Sequence, residues 1–165
     1  MVEFQSRRVT HAYTQTNLAP PEKVFSLLCP VREAEWVPGW QYRLIYSKSG
    51  FAEAGCVFIT EEDGREITWV VTEYDPAAFR IAFVWVDAGM VTAQIRIALG
   101  PEGVPDSPLK TSAHIQYTYT GLSPQGNREV ERYDGSWFRH KMQSWEAAIN
   151  HYLKTGKRID ATGWE

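Results

Sequence analysis

Residues 127–152 read NREVERYDGSWFRHKMQSWEAAINHY, and they decide the fold. Phe138, Met142, Trp145, Ile149 and Tyr152 recur at spacings of four, three, four and three. That is one apolar stripe of an amphipathic helix. Followed backward, the stripe meets Gly135 and then Glu131, so its C-terminal half is bulky and its N-terminal half small or acidic. A helix that only sealed a core would keep its apolar face to the end. The pattern predicts one long helix that grips through Phe138 to Tyr152 and gapes near Glu131–Gly135 over a hollow. Ser123, just ahead of Pro124, is a candidate N-cap, with a start after Gly126 as the alternative. Gly156 is the expected stop, and Lys154 a favourable cation for the last turn. Gly135 inside a helix costs about 1 kcal/mol against Ala, which invites a reason for its presence.

The rest of the chain supplies what such a helix needs to cover. Residues 8–16 (RVTHAYTQT) read as a strand that Pro20-Pro21 ends. Short helices are predicted at 21–28 and 31–36, the second stopped by Pro38-Gly39. Six further strands are predicted at 41–47, 56–61, 66–74, 79–86, 90–99 and 111–121. Turn chemistry separates them, from Lys48-Ser49-Gly50 to the proline- and glycine-rich run 100–108. Connections this short favour antiparallel neighbours. Alternation puts Ile67, Trp69 and Val71 on one face, as it does Phe79, Ile81, Phe83 and Trp85. Ile95 lies on the apolar face of its strand, and Ala113, Ile115, Tyr117 and Tyr119 on that of the last. Strands with one apolar and one polar face make a sheet that is dry on one side, and the long helix is the element available to cover it.

Composition limits the function. The 165 residues suffice for one domain, expected over 1–156 with a tail at 157–165. A net charge of −3 provides no basic face for nucleic acid. No apolar run is long enough to span a membrane, and MVEFQSRRVTHAYT has no signal-peptide core. Two cysteines, Cys29 and Cys56, then suggest free thiols in the cytoplasm. The four histidines are scattered, and neither CxxC nor HExxH spacing occurs, so neither a metal nor a cofactor is expected.

Four short motifs carry a family resemblance. Leu18-Ala19-Pro20-Pro21-Glu22-Lys23-Val24-Phe25 resembles the I-x-A-P-P-E-x-V-[FW] opening of the START-like, or SRPBCC, superfamily. Trp36-Val37-Pro38-Gly39 resembles its W-x-P-G, and Gly55 stands where the family has G-x-x-[FW]. Val71-Thr72-Glu73-Tyr74-Asp75-Pro76 resembles its V-x-E-x-D-P-P, with Ala77 in place of the second proline. The resemblance covers residues 8–156 and implies an α+β helix-grip fold. In that fold a curved seven-stranded antiparallel sheet wraps one long C-terminal helix, with two short helices after the first strand. It also implies a deep cavity for an apolar or aromatic small molecule. These motifs start helices and turn the chain, so no catalytic residue is carried over.

The expected cavity wall is Trp69, Phe83, Trp85, Ile95, Tyr117, Tyr119, Phe138 and Met142, with Glu131 and Gly135 at the hollow end and Trp36 and Trp40 at the mouth. His114 is expected on the outer sheet face, His140 off the helix stripe, and Cys56 as a buried thiol. The favoured reading is a binding or carrier domain for a hydrophobic, lipid- or polyketide-like molecule. A polyketide cyclase or aromatase would use the same cavity, with Glu131, Asp134, Tyr117 or Tyr119 moving protons. A chaperone-activator type of interaction module ranks third, because the outer strand faces are polar. Homodimer formation is compatible with each reading.

Overall fold

A computed structural model describes residues 3–103 and 110–160. The run 104–108 of the expected proline- and glycine-rich break, and residues 161–165 of the expected tail, lie outside the described residues. Strand β1 (Arg8–Asn17) is followed by α1 (Pro21–Ser26) and α2 (Pro30–Glu33). Then come β2 (Arg43–Tyr46), β3 (Val57–Glu62), β4 (Arg65–Asp75), β5 (Arg80–Asp87), β6 (Val91–Glu102) and β7 (Lys110–Gly121). Two helices close the chain, α3 (Pro124–Arg132) and α4 (Gly135–Thr155).

The seven strands form one antiparallel sheet in the order β1-β7-β6-β5-β4-β3-β2, so the first strand pairs with the last. Alternation along β6 is strict: Val91, Ala93, Ile95, Ile97 and Leu99 are buried, and Gln94 and Arg96 exposed. Along β7 the buried set is Thr111, Ala113, Ile115, Tyr117, Tyr119 and Gly121. Register slips between Val71 and Glu73, a bulge that bends β4 and helps curve the sheet. Phe79, the predicted start of a strand, instead takes a left-handed φ of 55° in the turn before β5. Asp75 supports that turn by accepting the Ala78 amide at 3.0 Å.

Packed on the dry face, α4 buries Phe138, Met142, Ala148 and Ile149. Gly156 ends it at φ 69°, returning its amide to the Tyr152 carbonyl. Ser123 caps α3 by accepting the Gly126 amide at 3.0 Å.

The single long helix expected from the stripe is in fact two. Tyr133 leaves helical geometry at ψ 59°, and Asp134 starts α4 afresh, its carboxylate accepting the Trp137 amide at 2.8 Å. An aspartate followed by glycine is a helix start as well as a helix interior, and here capping wins. Gly135 is therefore the first residue of α4, exposed, with nothing within 4 Å of where its Cβ would be. Upstream, Gly126 fits α3 against the sheet, where a Cβ would collide with the Met90 carbonyl.

Candidate cavity between sheet and helix

The sheet, the chain from α2 to β2, and α4 enclose a cavity of about 990 Å³, large enough for a drug-sized molecule. Its floor is buried and apolar: Phe58 from β3, Phe83 from β5, Ile95 and Ile97 from β6, and Tyr117 from β7. Trp69 rises from β4 beside them, stacked on Phe58 with ring centroids 5.3 Å apart and planes 14° apart. Strand alternation aims all these side chains inward. The other wall is the face of α4 carrying Trp137, Lys141, Ser144 and Trp145. Gln41, Arg43, Glu61, Glu62, Glu66 and His140 are exposed and form the rim, where Arg43 pairs with Glu66 at 2.8 Å.

The structure brings Trp69, Phe83, Ile95 and Tyr117 together in this cavity, with Trp40 at its edge, held by its indole N–H to the Pro30 carbonyl at 2.8 Å. It sets the other expected wall residues apart. Trp36 is wholly buried, not at the mouth: its indole N–H donates to the Leu27 carbonyl at 2.9 Å and its ring packs on Trp145 at 5.0 Å. Phe138 and Met142 are core, and Tyr119 is buried between Trp85 and Tyr133. Neither Trp85 nor Tyr119 borders the space. Glu131 is exposed on α3 and pairs with Arg7, and Gly135 faces solvent, so neither borders this cavity. The opening lies further along α4, on the Trp137–Lys141 side. The expectation assumed an unbroken helix; the break turns Glu131 and Gly135 away from the sheet.

Two groups that the stripe did not reveal give the cavity its polarity. Glu33, the last residue of α2, is buried, and its carboxyl has no hydrogen bond or ion pair among the described residues. Burial alone pushes its pKa up to about 8, so the group is mostly protonated at neutral pH. Lys141 precedes Met142 on α4. Its Nζ stands 5.5 Å from the Tyr117 ring centroid and 5.1 Å from that of Trp137. It keeps accessible surface because the cavity is open there, yet protein surrounds it, and desolvation lowers its pKa. Burial likewise raises the pKa of the Tyr117 phenol, with the nearby Glu33 charge as a second cause.

His11 donates or accepts at the Tyr133 carbonyl at 2.6 Å and stacks on Phe138, while His114 bonds Thr14 on the outer face. Cys29 and Cys56 are buried and free. Among the described residues no group of His, Cys, Asp and Glu is arranged to hold a metal ion, and no helix is long and apolar enough to cross a membrane.

Neither a protein-family model nor a curated protein sequence matches the chain. Solved structures do. Norcoclaurine synthase from Thalictrum flavum, in complex with dopamine and hydroxybenzaldehyde, superposes with a TM-score of 0.65 at 14% identity, over 92% of this chain and 90% of that one. The di-domain ARO/CYC protein BexL gives 0.63 at 18% identity, covering 90% of this chain and 46% of BexL. Ara h 8.0201 gives 0.55 at 14% identity, over 90% and 99%. The chain has the helix-grip fold of the START-like, or SRPBCC, proteins.

Proposed function

We propose that the chain binds a hydrophobic or aromatic small molecule between its sheet and α4. The observation that carries this reading is the cavity of about 990 Å³ over a floor of Phe58, Trp69, Phe83 and Ile95. A concave site of that size with an apolar, aromatic floor is the usual form of a small-molecule site. Proteins of the same fold lend support, since one was solved with two aromatic ligands and another is an ARO/CYC protein. The buried free thiols fit the reducing cytoplasm expected from sequence.

The test is thermal denaturation with fatty acids, sterols and polyaromatic compounds. A ligand at a hundred times its Kd adds about 2.7 kcal/mol, which raises Tm by several degrees. Ile95→Trp, which fills the floor, should abolish the shift. No shift with any compound would sink the reading.

A cyclase or aromatase is the second reading, favoured by one observation: an unpaired, proton-bearing carboxyl, Glu33, inside the cavity. Glu131 and Asp134 stand outside it, and Tyr119 is sealed in the core, so of the four expected proton carriers Tyr117 alone borders the space. Turnover of a poly-β-keto substrate that survives Glu33→Gln and Tyr117→Phe together would exclude this chemistry.

A further inference from the structure

We infer that Glu33, Tyr117 and Lys141 form a set of unmatched hydrogen-bond donors that selects an aromatic ligand bearing carbonyl or phenolate oxygens, a deepening that rests on the cavity reading above. All three side chains border the same space. The Tyr117 hydroxyl has no partner among the described residues, nor has the Glu33 carboxyl, and the Lys141 ammonium meets no carboxylate within ion-pair distance. Tyr117 lies beneath the Lys141 Nζ at 5.5 Å, and Glu33 borders the same space.

Each of the three carries a donor: a carboxylic acid O–H, a phenol O–H and the amino N–H groups of a lysine. Two indole donors of the cavity are already satisfied. The Trp40 indole donates to Pro30, and the Trp69 indole to Thr60 at 2.9 Å. A donor that a bound ligand cuts off from water costs free energy unless the ligand supplies an acceptor, and the protein supplies none for these. A flat aromatic body fits between the floor rings and Trp137, and its oxygens complete the three donors. A pure hydrocarbon would leave them stranded. An aryl ammonium would add a second cation beside Lys141 and present a donor to donors.

The experiment is calorimetric titration of the full chain with three isosteric probes: 2-acetylnaphthalene, 2-ethylnaphthalene and 1-(2-naphthyl)ethylamine. The ketone should bind at least tenfold tighter than the hydrocarbon, about 1.4 kcal/mol, and tighter than the amine. Glu33→Leu, Tyr117→Phe and Lys141→Met should each weaken the ketone severalfold more than they weaken the hydrocarbon. Glu33→Gln, which keeps an N–H donor and disturbs the fold least, should retain most of the ketone affinity. The inference is overturned, with the cavity reading intact, if the hydrocarbon matches the ketone, if the amine binds tightest, or if the variants weaken ketone and hydrocarbon alike. If none of the three probes binds, the inference falls, and the cavity reading is decided separately by the fatty-acid and sterol panel.

Discussion

Glu146 of α4 accepts the backbone N–H of Thr16 in β1 at 2.7 Å. Its other carboxylate oxygen takes the Tyr13 hydroxyl at 3.1 Å. One turn on, Asn150 continues the pattern, donating to the Thr16 carbonyl at 2.9 Å and accepting the Leu18 amide at 3.0 Å. Two polar side chains of the helix thus serve as the missing strand partner at the sheet edge, where bare backbone groups would otherwise invite foreign pairing.

Glu146→Ala should therefore destabilise the protein by about 2 kcal/mol, since a bond to an ionised group contributes about 1.5–3 kcal/mol. Asn150→Ala should cost about 1 to 2 kcal/mol. Urea denaturation of the double variant should show non-additivity, because both residues hold one segment of β1.

Gly126→Ala should be among the most damaging single substitutions. A methyl group there meets the Met90 carbonyl rather than a side chain that could turn aside. Overpacking of this kind costs about 1–3 kcal/mol. A drop in Tm of several degrees is expected, and wild-type stability would show that α3 stands further from the β5–β6 turn.

Gly135→Ala should be neutral or stabilising by up to about 0.5–1 kcal/mol, because the site is open and its φ is not left-handed. Asp134→Ala should cost about 1 kcal/mol through loss of the cap on the Trp137 amide. The opposite signs of these neighbours, read from guanidinium melts, would confirm that α4 begins between them.

Glu33 couples stability to pH. Its folded pKa, about 8, lies above the ordinary value of 4.5, so the folded state holds the proton more tightly. Stability must then fall as pH rises from about 4.5 to about 8, and the loss levels off above that. The titratable and charged groups around this space are Tyr117 from β7, Lys141 and His140 from α4, Glu61 and Glu62 from β3, Glu66 from β4, Arg43 from β2 and Tyr42 just ahead of it. Glu33→Gln should abolish the Glu33 contribution and be the more stable protein at pH 8, by a few kcal/mol. Parallel stability curves for the two proteins across that window would refute it.

Much of this architecture is legible in the sequence because strands and helix stripes follow fixed periods. Ile95, Tyr117, Phe138 and Ile149 could be placed on inner faces by counting alone. The helix break could not be placed that way. The stripe through Phe138 extends smoothly to Gly135 and Glu131, and only the Asp134 cap, a local hydrogen bond, decides against continuity. Trp36 and Trp40 flank one Pro-Gly turn and look equivalent, yet one is buried and the other edges the cavity. Glu33 was hidden for another reason. A glutamate in VREAEW reads as a solvated helix residue, and its burial comes from tertiary packing that no local pattern encodes. Lys141 sits one position off the stripe, so the stripe does not mark it, yet it borders the cavity.

The crowding of indoles described above makes the molecule its own optical reporter. Trp36 and Trp145 lie 5.0 Å apart, Trp40 and Trp69 6.4 Å, and Trp69 and Trp85 6.2 Å. At such separations excitation energy passes from ring to ring within the emission lifetime. The emission is then strongly depolarised, and one absorbing guest beside Trp69 would darken Trp40, Trp69 and Trp85 together. Occupancy of the cavity can be followed by light without attaching any dye.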